Sequence, residues 1–256
     1  MNTVRAKKSL GQHFLINSAI ARTIVDALPS QVTEVLEVGA GMGALTDYLA
    51  LNPSYRLTVV EIDKESVAYL KKKIPALSIV EGDFLRLDLS TVFPESFAVI
   101  GNFPYNISSQ ILFKVLECRG QIPYVVGMFQ KEVAERIAAR HGSRTYGILS
   151  VLLQAFYDIE YLFTVHENAF SPPPKVKSAV IRLQRNKRSH LDCDEMAFVK
   201  VVKTAFNQRR KTLRNALTCL VTDKQRLQDA LFNRRAEQLS VEEFIELTKR
   251  LMPVLR

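Results

Sequence analysis

Short apolar runs alternate with amphipathic stretches over residues 18–185. Runs of strand length, bounded by glycine, proline or polar turns, lie at 35–38, 57–60, 77–81, 98–101, 124–129, 160–165 and 178–183. Helical periodicity occurs at 18–28, 44–49, 109–116, 131–141 and 148–155. Strands that alternate with helices predict an α/β fold with a doubly wound sheet.

The pattern changes near residue 186, where helical periodicity continues without strand-like runs. The predicted helices cover 194–206, 211–220, 224–231 and 241–251, and Ser240 with Glu243 forms a capping-box pattern before the last of them. We therefore predict a doubly wound α/β domain over 1–185, which begins with an ordered arm over 1–17. A small all-α domain over 186–256 is predicted to follow.

Composition narrows the class of protein. Of the 256 residues 47% are apolar, which is enough for a substantial core, and the formal net charge is +9. A basic surplus favours nucleic acid as a partner, although solubility alone also explains it. The three cysteines and four histidines show no metal-ligand spacing, so no metal is expected. With no secretory signal and no apolar run of ~20 residues, the chain is expected to be soluble and cytoplasmic.

Three consecutive strand ends carry residues suited to an adenosine-type ligand. Gly39 and Gly41 follow the first strand and precede a helix, which is typical of a nucleotide-binding loop. Glu61 ends the second strand, where an acid meets a ribose diol in such folds. Asp83 and Phe84 follow the third strand, where they suit the amine and the face of an adenine ring. Each feature alone is more often structural, but together they predict an adenosine-type cofactor.

The glycine spacing distinguishes between two cofactors. A dinucleotide fingerprint is GxGxxG, whereas Gly43 falls one residue early for that pattern. Glu37 precedes the loop, and a carboxylate is a poor neighbour for a pyrophosphate but suits an ammonium or a sulfonium. S-adenosylmethionine carries both cations and no phosphate, so we predict it in preference to NAD.

The catalytic candidates follow the fourth strand. Asn102 supplies an amide, Pro104 a backbone carbonyl that has no neighbouring N–H to compete for it, and Tyr105 an aromatic ring. These groups suit a planar base, because the aromatic ring can stack on its face and the two oxygens can accept from its exocyclic amine. Phe170, in a proline-rich loop between the last two strands, is predicted to cover the other face of the base. An ordinary strand-to-loop turn is the alternative for these four residues taken alone.

Basic residues outside these strand ends are candidates for RNA contacts. They lie in a polar loop, in the proline-rich loop and in the densest basic cluster of the chain, and comprise Arg140, Arg144, Lys175, Lys177, Arg209, Arg210, Lys211 and Arg214. Solvated helix ends are the alternative interpretation. The cluster at 208–215 is favoured as a phosphate clamp because the whole chain is basic.

Several segments together resemble the small-subunit ribosomal RNA adenine dimethyltransferases. The resemblance runs from about residue 7 to the end of the chain and is carried by residues 8–15, 37–46, 60–63, 82–83, 102–105, 170–180 and 206–215. It implies N6,N6-dimethylation by S-adenosylmethionine of two adjacent adenosines in the hairpin loop near the 3′ end of small-subunit rRNA. The implied partner is that rRNA within a pre-ribosomal small subunit, and the protein itself is expected to be a monomer. The cofactor contacts implied by position are His13, Leu15, Gly39, Glu61, Asp83 and Asn102, and Ile62, next to Glu61, is a further cofactor-binding candidate.

Some positions depart from the commonest family pattern, and alternatives stay open. His13 stands where many members have Asn, Ala40 replaces a frequent proline, and Phe103 replaces Leu, Ile or Pro. The nearest rival is a methyltransferase of the erythromycin-resistance type, which acts on large-subunit rRNA; a DNA adenine methyltransferase is disfavoured because no sequence-reading motif is evident. A non-catalytic RNA-binding assembly factor on the same scaffold is the alternative from another class.

Overall fold

A computed structural model describes residues 4–252 of the chain. Residues 1–3 of the predicted arm and 253–256 of the predicted second domain lie outside the described residues. The strands are β1 Phe14–Leu15, β2 Glu34–Val38, β3 Arg56–Glu61, β4 Ser78–Glu81, β5 Ala98–Asn102, β6 Tyr124–Gln130, β7 Tyr157–Val165, β8 Phe170–Ser171 and β9 Ser178–Arg185.

Five α-helices lie in the stretches of helical periodicity predicted between residues 18 and 155, and two more, over 64–73 and 89–92, were not predicted. The α-helices are α1 Ser18–Asp26, α2 Thr46–Leu49, α3 Lys64–Lys73, α4 Leu89–Val92, α5 Ser108–Glu117, α6 Lys131–Ala138, α7 Ile148–Gln154, α8 Glu195–Asn207, α9 Leu213–Ala216 and α10 Val241–Leu251. Asn17 caps α1 by accepting from the Ile20 N–H at 3.1 Å, as an N-cap asparagine is expected to do. No helix within 4–252 is long and apolar enough to cross a bilayer.

The main sheet has seven strands in the order β4-β3-β2-β5-β6-β9-β7. From β4 to β6 neighbouring strands are parallel, and β9 joins β6 in antiparallel register. The chain moves outward from β2 to β3 and β4, and then returns to the other side of β2 with β5. This reversal confirms the doubly wound sheet, and it places a crevice at the carboxyl ends of β2 and β5.

The arm before α1 is ordered by a second, two-stranded sheet. β1 pairs with β8 in antiparallel register, with Phe14 opposite Ser171 and Leu15 opposite Phe170. Phe14 and Leu15 are buried. The sequence predicts an arm with no strand in it; β1 forms because β8 offers a backbone edge that no local pattern reveals.

The centre of the main sheet accommodates one large aromatic ring. Phe103 is 1% exposed, and its ring lies against Gly101 of β5 and Gly127 of β6, which face each other across the two strands. A Cβ built on Gly101 would come within 2.7 Å of the Phe103 ring, and one on Gly127 within 2.3 Å. The two glycines therefore make room for the ring, and they also leave room for the Val38 carbonyl beside Gly101 and the Phe129 ring beside Gly127.

Contacts divide the chain into two compact units. The first comprises Met1–Ala134 and Ile159–Arg185, and the second comprises Glu135–Asp158 and Asn186–Arg256. One change of unit coincides with the predicted boundary near residue 186. The segment 135–158, assigned to the first domain from sequence, groups with the second unit because α7 packs against α8 and α10.

The second unit is helical around an aromatic core. The rings of Tyr146 and Phe206 lie 6.1 Å apart in an edge arrangement, and those of Phe206 and Phe244 lie 5.8 Å apart and stacked. The capping box of Ser240 and Glu243 at α10 is present. The long helices predicted over 211–220 and 224–231 are wrong: this segment forms only α9 and short 3-10 turns.

Candidate active site

A cavity lies at the carboxyl ends of β2, β3, β4 and β5, where the sheet order reverses. All the side chains and glycines predicted to bind a cofactor line it: His13, Leu15, Glu37, Gly39, Gly41, Glu61, Ile62, Asp83, Phe84 and Asn102. Pro104 and Tyr105 line it as well. Residues from the arm and from successive strand ends therefore meet at one place, as the sequence predicts.

The loop after β2 depends on glycine. Gly39, Gly41 and Gly43 have φ values of 73°, 57° and 83°, which is the left-handed region that favours this residue. A Cβ on Gly41 would lie 2.8 Å from the Phe14 ring of the arm. The loop can thus pass beneath the arm only without a side chain at Gly41.

Glu61 holds this loop in place. Glu61 is only 3% exposed. One of its carboxylate oxygens accepts from the Gly41 N–H at 2.8 Å, and the other accepts from the Asp63 N–H at 2.9 Å. Burial raises the pKa of Glu61, while these backbone hydrogen bonds oppose the rise. Each carboxylate oxygen retains a second lone pair, so the group can organise the loop and still accept from ligand hydroxyls.

Glu37 is a buried carboxyl group at the base of the cavity. The residue is 2% exposed, and Oε2 accepts from the Thr46 hydroxyl at 2.6 Å. Burial, with a smaller contribution from nearby Glu61, raises the pKa of Glu37 to about 8. A buried carboxyl in this position is stabilised in its charged form by a cation, so the site chemically suits a ligand that carries an ammonium or sulfonium group.

Asp63 connects the arm to the segment that follows β3. Its carboxylate accepts from the Lys7 ammonium at 2.5 Å and from the Gln12 amide at 3.2 Å, and it also caps α3 through the Glu65 N–H. Burial opposes ionisation, but the hydrogen bonds from Lys7 and Gln12 outweigh it and lower the pKa of Asp63. Sequence reasoning missed this group, although its position two residues after Glu61 would have been a signal.

Asn102, the last residue of β5, has a fixed side-chain amide. Nδ2 donates to the backbone carbonyl of His13 at 2.9 Å. Because the amide nitrogen is used in this way, Oδ1 remains an acceptor at the cavity. The half-buried asparagine thus offers an oxygen acceptor, which is the group that an amine donor requires.

The prediction that the Pro104 carbonyl lacks a competing N–H is wrong. It accepts from the Ile107 N–H at 3.2 Å and from the Ser108 hydroxyl at 3.1 Å, because residues 105–107 form a 3-10 turn directly after the proline. The Ser108 hydroxyl also lies 3.2 Å from the Tyr105 carbonyl. Rotation of this hydroxyl toward the Tyr105 carbonyl would leave one lone pair of the Pro104 carbonyl available.

Tyr105 is held by contacts that the sequence did not suggest. Its hydroxyl lies 2.5 Å from Oγ of buried Ser178, and its ring stacks on that of His13 with centroids 5.5 Å apart. Phe170 is different: it is 3% exposed, packs in the core and does not line the cavity. The expectation that Phe170 covers a base is therefore not met in this conformation, because β8 turns that side chain inward.

The basic residues divide between the two units. Lys175 and Lys177 are exposed in the first unit, while Arg140, Arg144, Arg210 and Lys211 are exposed in the second. Within the second unit, Arg209 donates to the Ser143 carbonyl at 3.3 Å, which brings the predicted polar loop beside the basic cluster.

Arg209 and Arg214 differ from their exposed neighbours. Arg209 also lies 3.8 Å from Glu237, and Arg214 donates to the carbonyls of Leu227 and Gln228 at 3.0 and 3.3 Å. Both guanidinium groups therefore make contacts within the second unit, and their role as phosphate contacts stays a prediction. Among residues 4–252, no cluster of three or more His, Cys, Asp or Glu side chains is arranged to hold a metal ion.

Comparison with known proteins extends these observations to nearly the whole chain. Residues 3–252 match the family model described as ribosomal RNA adenine dimethylase. The ribosomal RNA small subunit methyltransferase A of Cytophaga hutchinsonii is 62% identical over 255 residues, covering 98% of this chain and 99% of that protein. The protein of the same name from Parabacteroides distasonis is 58% identical over 252 residues, covering 97% and 94%.

Solved structures of similar sequence share the fold. A dimethyladenosine transferase from Plasmodium falciparum is 26% identical, with a TM-score of 0.78 over 93% of this chain and 98% of that one. The 23S rRNA methyltransferase ErmE is 27% identical, with a TM-score of 0.67 over 98% of this chain and 100% of that one. The family match and the high identity to full-length relatives show that the chain belongs to the ribosomal RNA adenine dimethylase family.

Proposed function

We propose that the protein transfers methyl groups from S-adenosylmethionine to the N6 amines of two adjacent adenosines in the 3′-end hairpin loop of small-subunit rRNA, during assembly of that subunit. The observation that carries the proposal is the fixed amide of Asn102 at the reversal of the sheet order, beside the glycine loop. Family membership and the names of the most similar relatives support an rRNA adenine as the acceptor.

The residues of the cavity fit the proposed cofactor. When bound, S-adenosylmethionine would supply an electrophilic methyl group on a sulfonium. Glu37 would face the cationic part of the ligand, and Glu61 would accept from ribose hydroxyls with its unused lone pairs. Asp83 and Phe84 would contact the adenine ring of the cofactor, and Leu15 would cover the site from the arm.

The acceptor groups would prepare the adenine amine for attack. Its nitrogen is a weak nucleophile because the lone pair is delocalised into the ring. Asn102 Oδ1 and the Pro104 carbonyl would accept its two hydrogens and favour a pyramidal nitrogen, with Ser108 turning to the Tyr105 carbonyl. The amine lone pair would take the methyl group as the bond from that group to sulfur breaks, which leaves a neutral thioether, and the cationic nitrogen would then lose a proton to water. Placement and charge complementarity supply the rate enhancement.

The large-subunit alternative has less support. The solved 23S rRNA methyltransferase is 27% identical, whereas the relative named for the small subunit is 62% identical. Incubation with labelled S-adenosylmethionine and each purified ribosomal subunit tests the choice directly. We expect label in small-subunit rRNA; label in large-subunit rRNA alone would overturn the proposal. No cofactor binding in a titration would instead favour a non-catalytic assembly factor.

Asn102→Ala is the sharpest test of the acceptor site. The substitution removes the proposed oxygen acceptor, so turnover should fall at least about a hundredfold, while affinity for S-adenosylmethionine should stay within several-fold. Single-turnover methylation and cofactor titration measure the two effects. Asn168→Ala, at an exposed asparagine of the same unit, is the matched control. Near-normal turnover of the Asn102 variant would end this mechanism.

A further inference from the structure

The buried position of Phe170 leaves Tyr105 as the aromatic side chain that the proposed base site retains. A second ring nevertheless lies beside it, since the imidazole of His13 stacks on Tyr105 with centroids 5.5 Å apart and planes inclined by 26°. At this separation the two rings are in contact, and a base does not fit between them. One face of Tyr105 is therefore occupied by His13, so a base that stacks on Tyr105 would use the opposite face.

Both rings are tied to the same segment of chain. Nδ1 of His13 lies 2.9 Å from the Pro172 carbonyl, so this nitrogen carries the proton of the bond. The Tyr105 hydroxyl bonds Oγ of Ser178, which is fully buried at the start of β9. The proline-rich segment 172–178 thus fixes the polar edge of each ring, and the pair is held as one platform.

The backbone of His13 makes a third contact with the acceptor site. Its carbonyl accepts from Asn102 Nδ2 at 2.9 Å, which sets the orientation of the amide. His13 therefore makes two contacts at this site: its carbonyl fixes which end of the Asn102 amide is the donor, and its ring fixes the orientation of the Tyr105 ring. An asparagine at this position would keep the backbone contact and lose the ring.

We propose that His13 is a positioning residue for the acceptor base, with its imidazole backing Tyr105 so that the opposite face of the phenol ring receives the adenine. This inference rests on the proposed function. It assigns the side chain to the base side of the cavity, whereas the family resemblance assigns it to the cofactor.

The test compares His13→Ala, His13→Phe and His13→Asn in methylation of purified small ribosomal subunits that lack the modification. Loss of a stacked partner should raise the KM for the subunit about two- to tenfold in the Ala and Asn variants. Phenylalanine keeps a ring and should restore most of the loss. Affinity for S-adenosylmethionine should change less than about twofold in all three. His166→Ala, at an exposed histidine of the same unit, is the control.

Each other outcome overturns the assignment. Weakened cofactor binding with an unchanged KM for the subunit would make His13 a cofactor contact. A lower KM for the Ala variant would mean that the imidazole obstructs the base. Ser178→Ala, which removes the other tether, should raise the same KM, and an unchanged KM there contradicts the fixed platform. Methylation by the unsubstituted protein separates the two claims: its absence overturns the proposed function as well, whereas its presence with an unaffected His13→Ala variant overturns only the role of His13.

Discussion

Glu37 shows how one buried side chain links ligand binding to protons. Its pKa of about 8 means that, between pH 4.5 and 8, the folded protein holds a proton here that the unfolded chain has lost. Folding stability contributed by this group therefore decreases as pH rises through that interval. A cation in the cavity favours the ionised form and reverses the effect.

Binding of S-adenosylmethionine should consequently release a proton at pH 7. Calorimetry in two buffers of different ionisation enthalpy measures the release, which we expect to approach about one proton per ligand. Glu37→Gln should reduce it, because glutamine cannot ionise, and should flatten the fall in stability above pH 5. Glu81→Gln, at the exposed carboxylate of the last residue of β4, is the control. A binding heat that is the same in both buffers would contradict this linkage.

At the residue scale, sequence reasoning identified the groups but not their partners. The strand ends placed Glu37, Glu61 and Asn102 at one sheet edge, since that follows from strand order. The partners of Tyr105 could not be predicted, because both come from distant segments: Ser178 is placed by the pairing of β9 with β6, and the His13 ring lies next to β1, which pairs with β8.

At the scale of elements, the strands β5 and β6 are adapted to the ring of Phe103. Phe103 is named from the sequence only as a departure from the family pattern, and its side chain is assigned no role there. The structure gives the ring a packing role between Gly101 and Gly127 instead. It thereby sets the backbone that carries Asn102 and Pro104.

Gly127→Ala should displace this ring. The new Cβ would lie 2.3 Å from a Phe103 ring carbon, so we expect a loss of about 1–3 kcal/mol in the free energy of unfolding. Methylation should decline as the 102–105 turn shifts. Urea denaturation and turnover at saturating substrate measure the two losses.

The compensating double variant makes this prediction specific. Gly127→Ala with Phe103→Leu replaces the ring by a smaller side chain and should recover part of both losses. Gly120→Ala is the control, because a Cβ there meets nothing within 4 Å. A double variant no better than the single one would show that the ring is not what the glycine accommodates.

At the scale of the whole molecule, positive charge is distributed over exposed and structural positions. The sequence located the basic cluster, but charge patterning alone could not separate the two kinds of arginine. Arg210 and Lys211 are exposed, whereas Arg209 and Arg214 donate to backbone carbonyls. The difference between exposed and structural arginines depends on loop contacts, which leave no periodic signal in the sequence. The short turns that form in place of the predicted helices depend on such contacts as well.

The exposed pair should act through long-range attraction to RNA. Arg210→Ala with Lys211→Ala should weaken binding of small-subunit rRNA and lower the slope of log affinity against log salt by about 1.5, without a change in unfolding midpoint. Lys71→Ala with Lys72→Ala, at exposed lysines of α3, is the matched control. Arg214→Ala should instead lower the midpoint. An unchanged salt slope in the first double variant would remove these residues from the RNA interface.

The ring between facing glycines also constrains how this sequence can diverge. A Cβ at 127 would meet the rings of both Phe103 and Phe129, and one at 101 would meet the Phe103 ring and the Val38 carbonyl. Exchange of the aromatic at 103 therefore relieves only part of the crowding, and glycine at 101 should persist whichever residue stands at 103. In an alignment of relatives, phenylalanine at 103 should occur together with glycine at both other positions. Alanine or serine at 127 should appear only in lineages with smaller side chains at both 103 and 129, so that these three positions evolve as one unit.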